Sequence, residues 1–298
     1  MRATATLTRA ALLVHAQQTL VQAGVPSPES DAERLLLHAL GISRTRFWSD
    51  RAARVPDEDG ARFARLLEAR ARRVPLQHLL GEVEFHAAEI EVEPGVFIPR
   101  PETERLVEVV LEELEGGSGE ILERGTILDL GTGTGAIPIA LLLSLPAGWR
   151  AGAIDRSDRA IALASRNGRR NGVARRLTLA NADFRDAPPT ALEAPAEVLV
   201  ANLPYIPTGV IAGLMPEVRD HDPREALDGG SDGLDAFRAV AGALTSWLKP
   251  GGLLAVEIGE DQADPCMELF GPHLTKPRVE RDLEGHPRIL TGRRRGTR

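Results

Sequence analysis

Apolar residues recur at helical spacing along the first eighty positions. Leu7, Leu12, Leu13, Leu20 and Val21 share one helical pattern, and Gly24 follows as a stop. "SPESDAERLLLHAL" opens on Ser27 and Pro28, and is expected to bury Leu35, Leu36, Leu37 and Leu40 before Gly41. Asp57 introduces "EDGARFARLLEARARR", with Phe63, Leu66 and Leu67 on one stripe. No strand pattern interrupts these segments, so residues 1–80 are predicted to form a small helical bundle. Alternation takes over at 81–98, where Val83 and Phe85, then Ile90 and Val92, flank "HAA". That segment reads as a β-hairpin linker.

From about residue 120 the pattern becomes strand, glycine-rich turn and helix in repetition. "TILDL", "WRAGAID", "RLTLAN", "AEVLVAN" and "GLLAVEIG" read as strands, with helices at 136–145, 158–171 and 231–248. "PRVERD" and "HPRILTGR" close the chain as an antiparallel pair. The alternation predicts an α/β fold with a doubly wound, mainly parallel sheet, occupying 99–298. "LEGGSGE" (114–120) is a weak linker.

Composition narrows the class. The 298 residues are 43% hydrophobic and 27% charged, as in ordinary globular proteins, with no apolar run long enough to span a membrane. The first 25 residues lack a long apolar core and read as an amphipathic helix rather than a signal peptide. A single cysteine, Cys266, excludes an internal disulfide and a cysteine-built zinc site, and suits the cytoplasm. It reads as packing, and nothing in the sequence calls for a metal. A net charge of −7 argues against nonspecific nucleic-acid binding. "TGRRRGTR" is a local basic patch, expected to be a frayed, solvated end.

Two turns carry the candidate chemistry. In "ILDLGTGTGAIPIAL", Gly131, Gly133 and Gly135 with Thr132 and Thr134 lie between a strand and a helix. There glycines let a ligand approach backbone N–H groups. By its letters the turn also fits a dinucleotide fingerprint, and Asp155, ending the next strand, could hold ribose hydroxyls in either kind of site. Three features favour S-adenosylmethionine (SAM). Asp129 lies two positions before the first glycine and could meet the aminoacyl part of the methionine; Asp183 and Phe184 suit the adenine amine and ring face; Asn202-Leu203-Pro204-Tyr205 follows the fourth strand. Taken singly, Asp183 is a loop cap and Phe184 a core residue; their joint position at the carboxyl edge of the sheet raises both. No histidine or lysine pairs with the site as a nicotinamide enzyme would want.

The second turn, in "VLVANLPYIP", holds the chain's single tyrosine. A planar NH₂ group attacks poorly because its lone pair is delocalised. The Asn202 side-chain carbonyl and the Leu203 backbone carbonyl could accept both its N–H bonds, holding nitrogen in line with a methyl donor and offsetting the developing positive charge. Pro204 stiffens the turn and Tyr205 can stack on the acceptor. On these residues alone the acceptor could be adenine, cytosine or glutamine.

This turn resembles the Asn/Asp/Ser-x-Pro-Tyr motif of amino-methyltransferases. With "RVPLQHLLGEVEF" (73–85), "FIPRPETERLVE" (97–108) and "REALDGGSDGLD" (224–235), the chain resembles the release factor glutamine methyltransferase (HemK/PrmC) family from about residue 30 to its end. Leu203 departs from the family's usual proline, at a position that works through its carbonyl. The resemblance implies a Rossmann-like, seven-stranded SAM-dependent methyltransferase domain preceded by a helical substrate-recognition domain. It also implies methyl transfer to the Gly-Gly-Gln glutamine of class 1 peptide chain release factors, by a cytoplasmic monomer. Gly131 to Gly135, Asp155 and Phe184 would hold SAM, Asn202 would touch both SAM and substrate, and Leu203, Pro204 and Tyr205 would complete the pocket. Arg100, Pro101 and Glu102 would lie near its mouth, unless that stretch is only a hairpin-to-helix junction capped by Thr103 and Glu104. The "ALDGG" loop (226–230) would pack beside the pocket. The rival readings are an adenine amino-methyltransferase acting on RNA or DNA, and a SAM-binding module without turnover.

Overall fold

The computed structural model describes residues 8–116 and 122–296. Leu7, the end of the "LEGGSGE" stretch from residue 117 on and the last two residues lie outside them. The chain divides into two compact units, Met1–Gly81 with Met215–His221, and Glu82–Leu214 with Asp222–Arg298.

In the first unit, α1 (Arg9–Gln22), α2 (Pro28–Leu40), α3 (Arg44–Ser49), α4 (Asp57–Ala71) and α5 (Leu76–Leu80) surround Leu13, Leu20, Leu35, Leu36, Phe47, Phe63 and Leu67. Leu37 and Leu40 are only half-buried, and Val21, on the outer face of α1, is 57% exposed, because the inward stripe of α1 runs through Leu12, Leu13, Ala16 and Leu20. Gly24 and Gly41 end α1 and α2 at φ +69° and +61°, where a side chain is disfavoured. The later segment carries α9 (Pro216–Arg219), and its Glu217 is the centre of a half-buried ion cluster. Arg73 grips Glu217 through two bonds of 2.6 Å, and Arg70, itself held by Asp31 at 2.7 Å, adds a third at 2.9 Å. Burial opposes the Glu217 charge, but these guanidiniums prevail and hold its carboxyl at about 2.

The second unit opens with the hairpin of β1 (Glu82–Phe85) and β2 (Ala88–Glu91), which packs Phe85, Ala88 and Ile90 into this unit's core. α6 (Glu104–Glu115) follows. Then come β3 (Arg124–Leu130), α7 (Ala136–Ser144), β4 (Gly148–Asp155), α8 (Asp158–Arg170), β5 (Leu177–Asn181) and β6 (Ala196–Asn202). α10 (Arg224–Leu227), α11 (Asp235–Trp247), β7 (Leu248–Glu257), α12 (Ala263–Phe270), β8 (Leu274–Arg281) and β9 (Pro287–Arg294) complete it. The seven-stranded sheet has the order β5-β4-β3-β6-β7-β9-β8, parallel from β5 to β7 and antiparallel at β9 and β8.

Both faces of this sheet are covered, which is why its central strands read as unbroken apolar runs. Ile127, Val198, Val200, Leu253 and Ala255 share one cluster with residues of α6, α7 and the hairpin. Leu128, Leu199, Ala201, Leu254 and Val256 share the other with α11 and α12, including Cys266. Burial pushes that thiol up to about 12, so it is inert packing. The first part of the basic tail is not frayed: β9 runs through Arg294, which is buried and donates to the Leu248 carbonyl at 2.6 Å. Backbone pairing to β7 and β8 overrides the solvation expected of a run of arginines.

The Ser157 hydroxyl caps α8 by accepting from the Ala160 N–H. Ser157→Ala is expected to lower the unfolding free energy by about 1 kcal/mol. Urea denaturation would read this as a lower midpoint at unchanged slope; an unchanged midpoint would deny the cap any weight.

Candidate active site

The parallel strands turn in sequence order at β3, with β4 and β5 to one side and β6 and β7 to the other. Such a switch point leaves a crevice at the carboxyl ends of the strands. Both candidate turns open there. Gly131, Gly133 and Gly135 adopt φ of +74°, +54° and +81°, a path closed to most side chains. The Gly131 and Thr132 N–H groups hook onto the Ile154 carbonyl at 3.0 and 2.8 Å, and the Gly133 N–H donates to Asp155 Oδ2 at 2.9 Å. A side chain at Gly135 would press on Ala164 at 3.0 Å, whereas one at Gly133 would meet open space. Gly135 therefore serves packing, and Gly133 keeps a surface clear for a ligand.

Asp129, near the end of β3, is buried, and neither of its carboxylate oxygens has a hydrogen-bond partner among the described residues. The Thr132 hydroxyl is likewise buried and unpartnered. Burial pushes the Asp129 carboxyl up to about 7, the nearby Thr132 hydroxyl tempers the rise without the geometry of a full hydrogen bond, and the charge of Asp155 adds to it. An acid left this way is costly unless a ligand completes it. The amine of an amino-acid group would do so, and the residues present thus fit SAM. Asp155 is already engaged by the N–H groups of Gly133 and Ser157. Burial raises its carboxyl, and those two N–H bonds act against the rise.

At the end of β5, Asp183 accepts from the Arg185 N–H at 2.9 Å, a local turn contact. Phe184 packs its ring against the core with the Arg185 guanidinium 5.5 Å from its centroid. The structure therefore ties Gly131 to Gly133 and Asp155 into one bonded loop cluster beside the unpartnered Asp129, while Asp183 and Phe184 follow the adjacent strand.

Asn202 ends β6 and is in register with Glu257 at the end of β7. Its amide Nδ2 donates to Thr103 Oγ1 at 3.0 Å, and Thr103 Oγ1 donates to Glu257 Oε2 at 2.6 Å. Tyr205 half-buries its ring and donates its hydroxyl to Glu257 Oε1 at 3.4 Å. Leu203 is buried, with its side chain packed behind the glycine turn near Gly131. The "ALDGG" loop lies directly against this turn: the Ile206 N–H donates to the Leu227 carbonyl and the Gly229 N–H to the Ile206 carbonyl. A side chain at Gly229 would strike the Pro204 carbonyl at 2.7 Å. Gln262 donates to the Tyr205 carbonyl at 2.9 Å, bracing the turn from α12's start.

Three of these residues escaped the sequence reading. Thr103 entered only as a helix cap in the alternative reading of its stretch, yet it makes no capping hydrogen bond, because its hydroxyl is spent on Asn202 and Glu257. Glu257 did carry a signal, as the lone charge in "LLAVEIG". Gln262 carried none. Arg100 pairs with Asp222 and lies over the Phe97 ring at 4.8 Å, bracing the segment that delivers Thr103. Among the described residues no cluster of acids, histidines or cysteines is arranged to hold a metal, and no helix is long and apolar enough to cross a membrane.

Comparison with known proteins agrees with this layout. Residues 11–81 match the family model described as PrmC N-terminal domain, and residues 102–227 match that of ribosomal protein L11 methyltransferase (PrmA). A release factor glutamine methyltransferase of Caulobacter vibrioides is 39% identical over 96% of this chain and 96% of its own. One from Moorella thermoacetica is 42% identical over 86% of this chain and 87% of its own. Among solved structures, a T. thermophilus 16S rRNA N2-G1207 methyltransferase superposes with a TM-score of 0.50 at 20% identity, covering 72% of this chain and 50% of that one, which is a likeness of fold. With near-complete coverage at this identity, on a methyltransferase sheet, the chain belongs to the release factor glutamine methyltransferase family of SAM-dependent enzymes.

Proposed function

We infer that this protein transfers a methyl group from SAM to the side-chain amide nitrogen of a glutamine, that of the Gly-Gly-Gln motif of class 1 peptide chain release factors. The observation that carries the reading is the Asn202 amide, anchored by its nitrogen to Thr103 at the carboxyl edge of the sheet, one strand from the glycine turn. Family membership supplies the substrate class. SAM, when bound, supplies an electrophilic methyl on a sulfonium. Asp129, Gly131, Thr132, Gly133, Thr134 and Gly135 would hold its amino-acid part, Asp155 its ribose, and Asp183 and Phe184 its adenine.

The remaining work falls to the turn after β6. With Nδ2 committed to Thr103, the Asn202 carbonyl is the end available to an acceptor, and it takes one N–H of the substrate amide. The Leu203 backbone carbonyl takes the other. Two such acceptors aim the nitrogen lone pair and stabilise the positive charge that grows as the carbon–nitrogen bond forms. The methylated nitrogen is strongly acidic and sheds its proton without a dedicated base. Pro204 limits the turn's freedom, and Tyr205 offers a ring face to the planar amide. Leu203 in place of the family's usual proline keeps that carbonyl, and its side chain is buried rather than facing the acceptor.

In the same reading the helical unit recognises the release factor, and the chain works as a cytoplasmic monomer without a stable nucleic-acid or membrane partner. Its net charge of −7 disfavours phosphate backbones. Intact-protein mass spectrometry of an unmodified release factor incubated with this protein and SAM tests the reading. One added methyl, mapped by fragmentation to the Gly-Gly-Gln glutamine, is expected. No methyl on that residue, with transfer to ribosomal RNA instead, would overturn it in favour of base methylation.

A further inference from the structure

We propose that Thr103 and Glu257 are positioning residues that set which end of the Asn202 amide faces the acceptor. The inference rests on the role given above to Asn202. An asparagine amide has two ends of nearly equal size, one donor and one acceptor, and only the carbonyl end can receive the N–H of a substrate amide. Nothing in Asn202 itself selects that end.

The hydrogen-bond chain does. Asn202 Nδ2 reaches Thr103 Oγ1 at 3.0 Å, and Thr103 Oγ1 reaches Glu257 Oε2 at 2.6 Å. A hydroxyl has one proton to give. An ionised Glu257 can only accept, so it takes that proton. The Thr103 oxygen is then left as an acceptor toward Asn202, and only the NH₂ end satisfies it. The carbonyl consequently faces the acceptor. Were Glu257 protonated, its carboxyl could donate to Thr103, and Thr103 could donate to Asn202 Oδ1. The amide would turn over and set NH₂ against the substrate's NH₂.

The burial of the relay gives this polarity force. Thr103 and Glu257 are 3% and 2% exposed, so water offers little alternative partner. Sheet register delivers Glu257 beside Asn202, and the turn before α6 delivers Thr103. The charged groups around Glu257 are Arg288 on β9, itself paired with Asp282 at 3.1 Å, and Glu102 beside Thr103; the Tyr205 hydroxyl also faces it. Burial pushes the Glu257 carboxyl up to about 7, Thr103 and Arg288 hold it back, Glu102 adds to the rise, and Tyr205 opposes it. The relay therefore inverts within the range where the enzyme can be assayed.

The test uses the full chain with SAM and an unmodified release factor, following initial rates by mass spectrometry from pH 6 to pH 8.5. Wild-type kcat is expected to rise with pH through about 7, as Glu257 ionises. Glu257→Gln, which can donate, is expected to lose that rise and to lower kcat about tenfold at pH 8. Its KM for SAM should stay near wild type and its melting temperature should not fall, since a carboxyl raised by burial costs stability at pH 8 and the amide removes that cost. Thr103→Val should match that loss, and Thr103→Ser, which keeps the hydroxyl, should restore most of the rate. The proposal is overturned if Glu257→Gln keeps the wild-type rate and pH limb, or if Thr103→Ser is as impaired as Thr103→Val. Asn202→Ala separates the two levels. If it is inactive while Glu257→Gln is normal, only the relay fails; if it is fully active, the role of Asn202 and the relay fail together.

Discussion

Asn202→Ala is expected to lower the rate of methyl transfer by roughly 10²–10³-fold, the usual effect of removing one preorganised group at a site of developing charge. The side chain anchors to Thr103 at one end and offers a carbonyl at the other, so truncation removes the contact and leaves the glycine turn untouched. SAM affinity should fall only partly, since Asp129 and the glycine turn belong to a different strand and loop. Single-turnover rates with calorimetry of SAM binding separate these effects. A variant that binds SAM poorly but transfers at the wild-type rate once saturated would assign Asn202 to cofactor binding alone.

The second large effect is expected at Asp129, where SAM binding and stability should move in opposite directions. Asp129→Asn removes the charge expected to meet the methionine amine. The loss of a charge-assisted hydrogen bond should weaken SAM by roughly ten- to a hundredfold. The free protein should instead gain stability at pH 8. The folded-state carboxyl of Asp129 lies at about 7, above its ordinary 3.8. A group raised in this way favours folding most below 3.8, and that contribution is lost as pH climbs through about 7. At pH 8 the wild-type protein carries the full cost of an ionised, unpartnered acid, on the order of 2–4 kcal/mol. Asparagine removes that cost. Thermal unfolding at pH 5 and pH 8, with and without SAM, checks the sign. Asp129→Asn should melt higher than wild type at pH 8 without SAM, and SAM should narrow or reverse the gap. Equal SAM affinity in the two proteins would remove Asp129 from the binding site.

Glu217, a half-buried acid, shows the opposite sign. Arg70 and Arg73 hold its carboxyl at about 2, so its contribution is present above pH 4.5 and lost as the solution is acidified toward 2. The contrast lies in what each acid meets. Glu217 has two guanidiniums, while the Asp129 carboxylate has no hydrogen-bond partner among the described residues. An acid satisfied by the fold is structural, and one left bare at the carboxyl edge of a parallel sheet is the mark of a ligand.

By itself the sequence determined the elements and the two turns that carry the chemistry. Strand-and-helix alternation is local, so the periodicity of "TILDL" or "VLVAN" was enough to place β3 and β6, and glycine at 131, 133 and 135 was enough to permit the tight turn between β3 and α7. Asn202 to Tyr205 was legible because proline after an apolar run ends a strand wherever it occurs. Only the tertiary structure decided which partners these residues meet. Thr103 looks like a helix cap until α6 is set against the sheet and its hydroxyl lands between Asn202 and Glu257, 99 and 154 residues away. Glu257 comes beside Asn202 through strand order and register, which are settled by long-range packing on both faces of the sheet. Arg293 and Arg294 followed the same rule: their letters suggest solvation, and the hydrogen-bonding needs of β7 and β8 make them a strand. Local patterns write the elements and their turns, but hydrogen-bond polarity, and with it the working face of one amide, exists only once distant strands lie side by side.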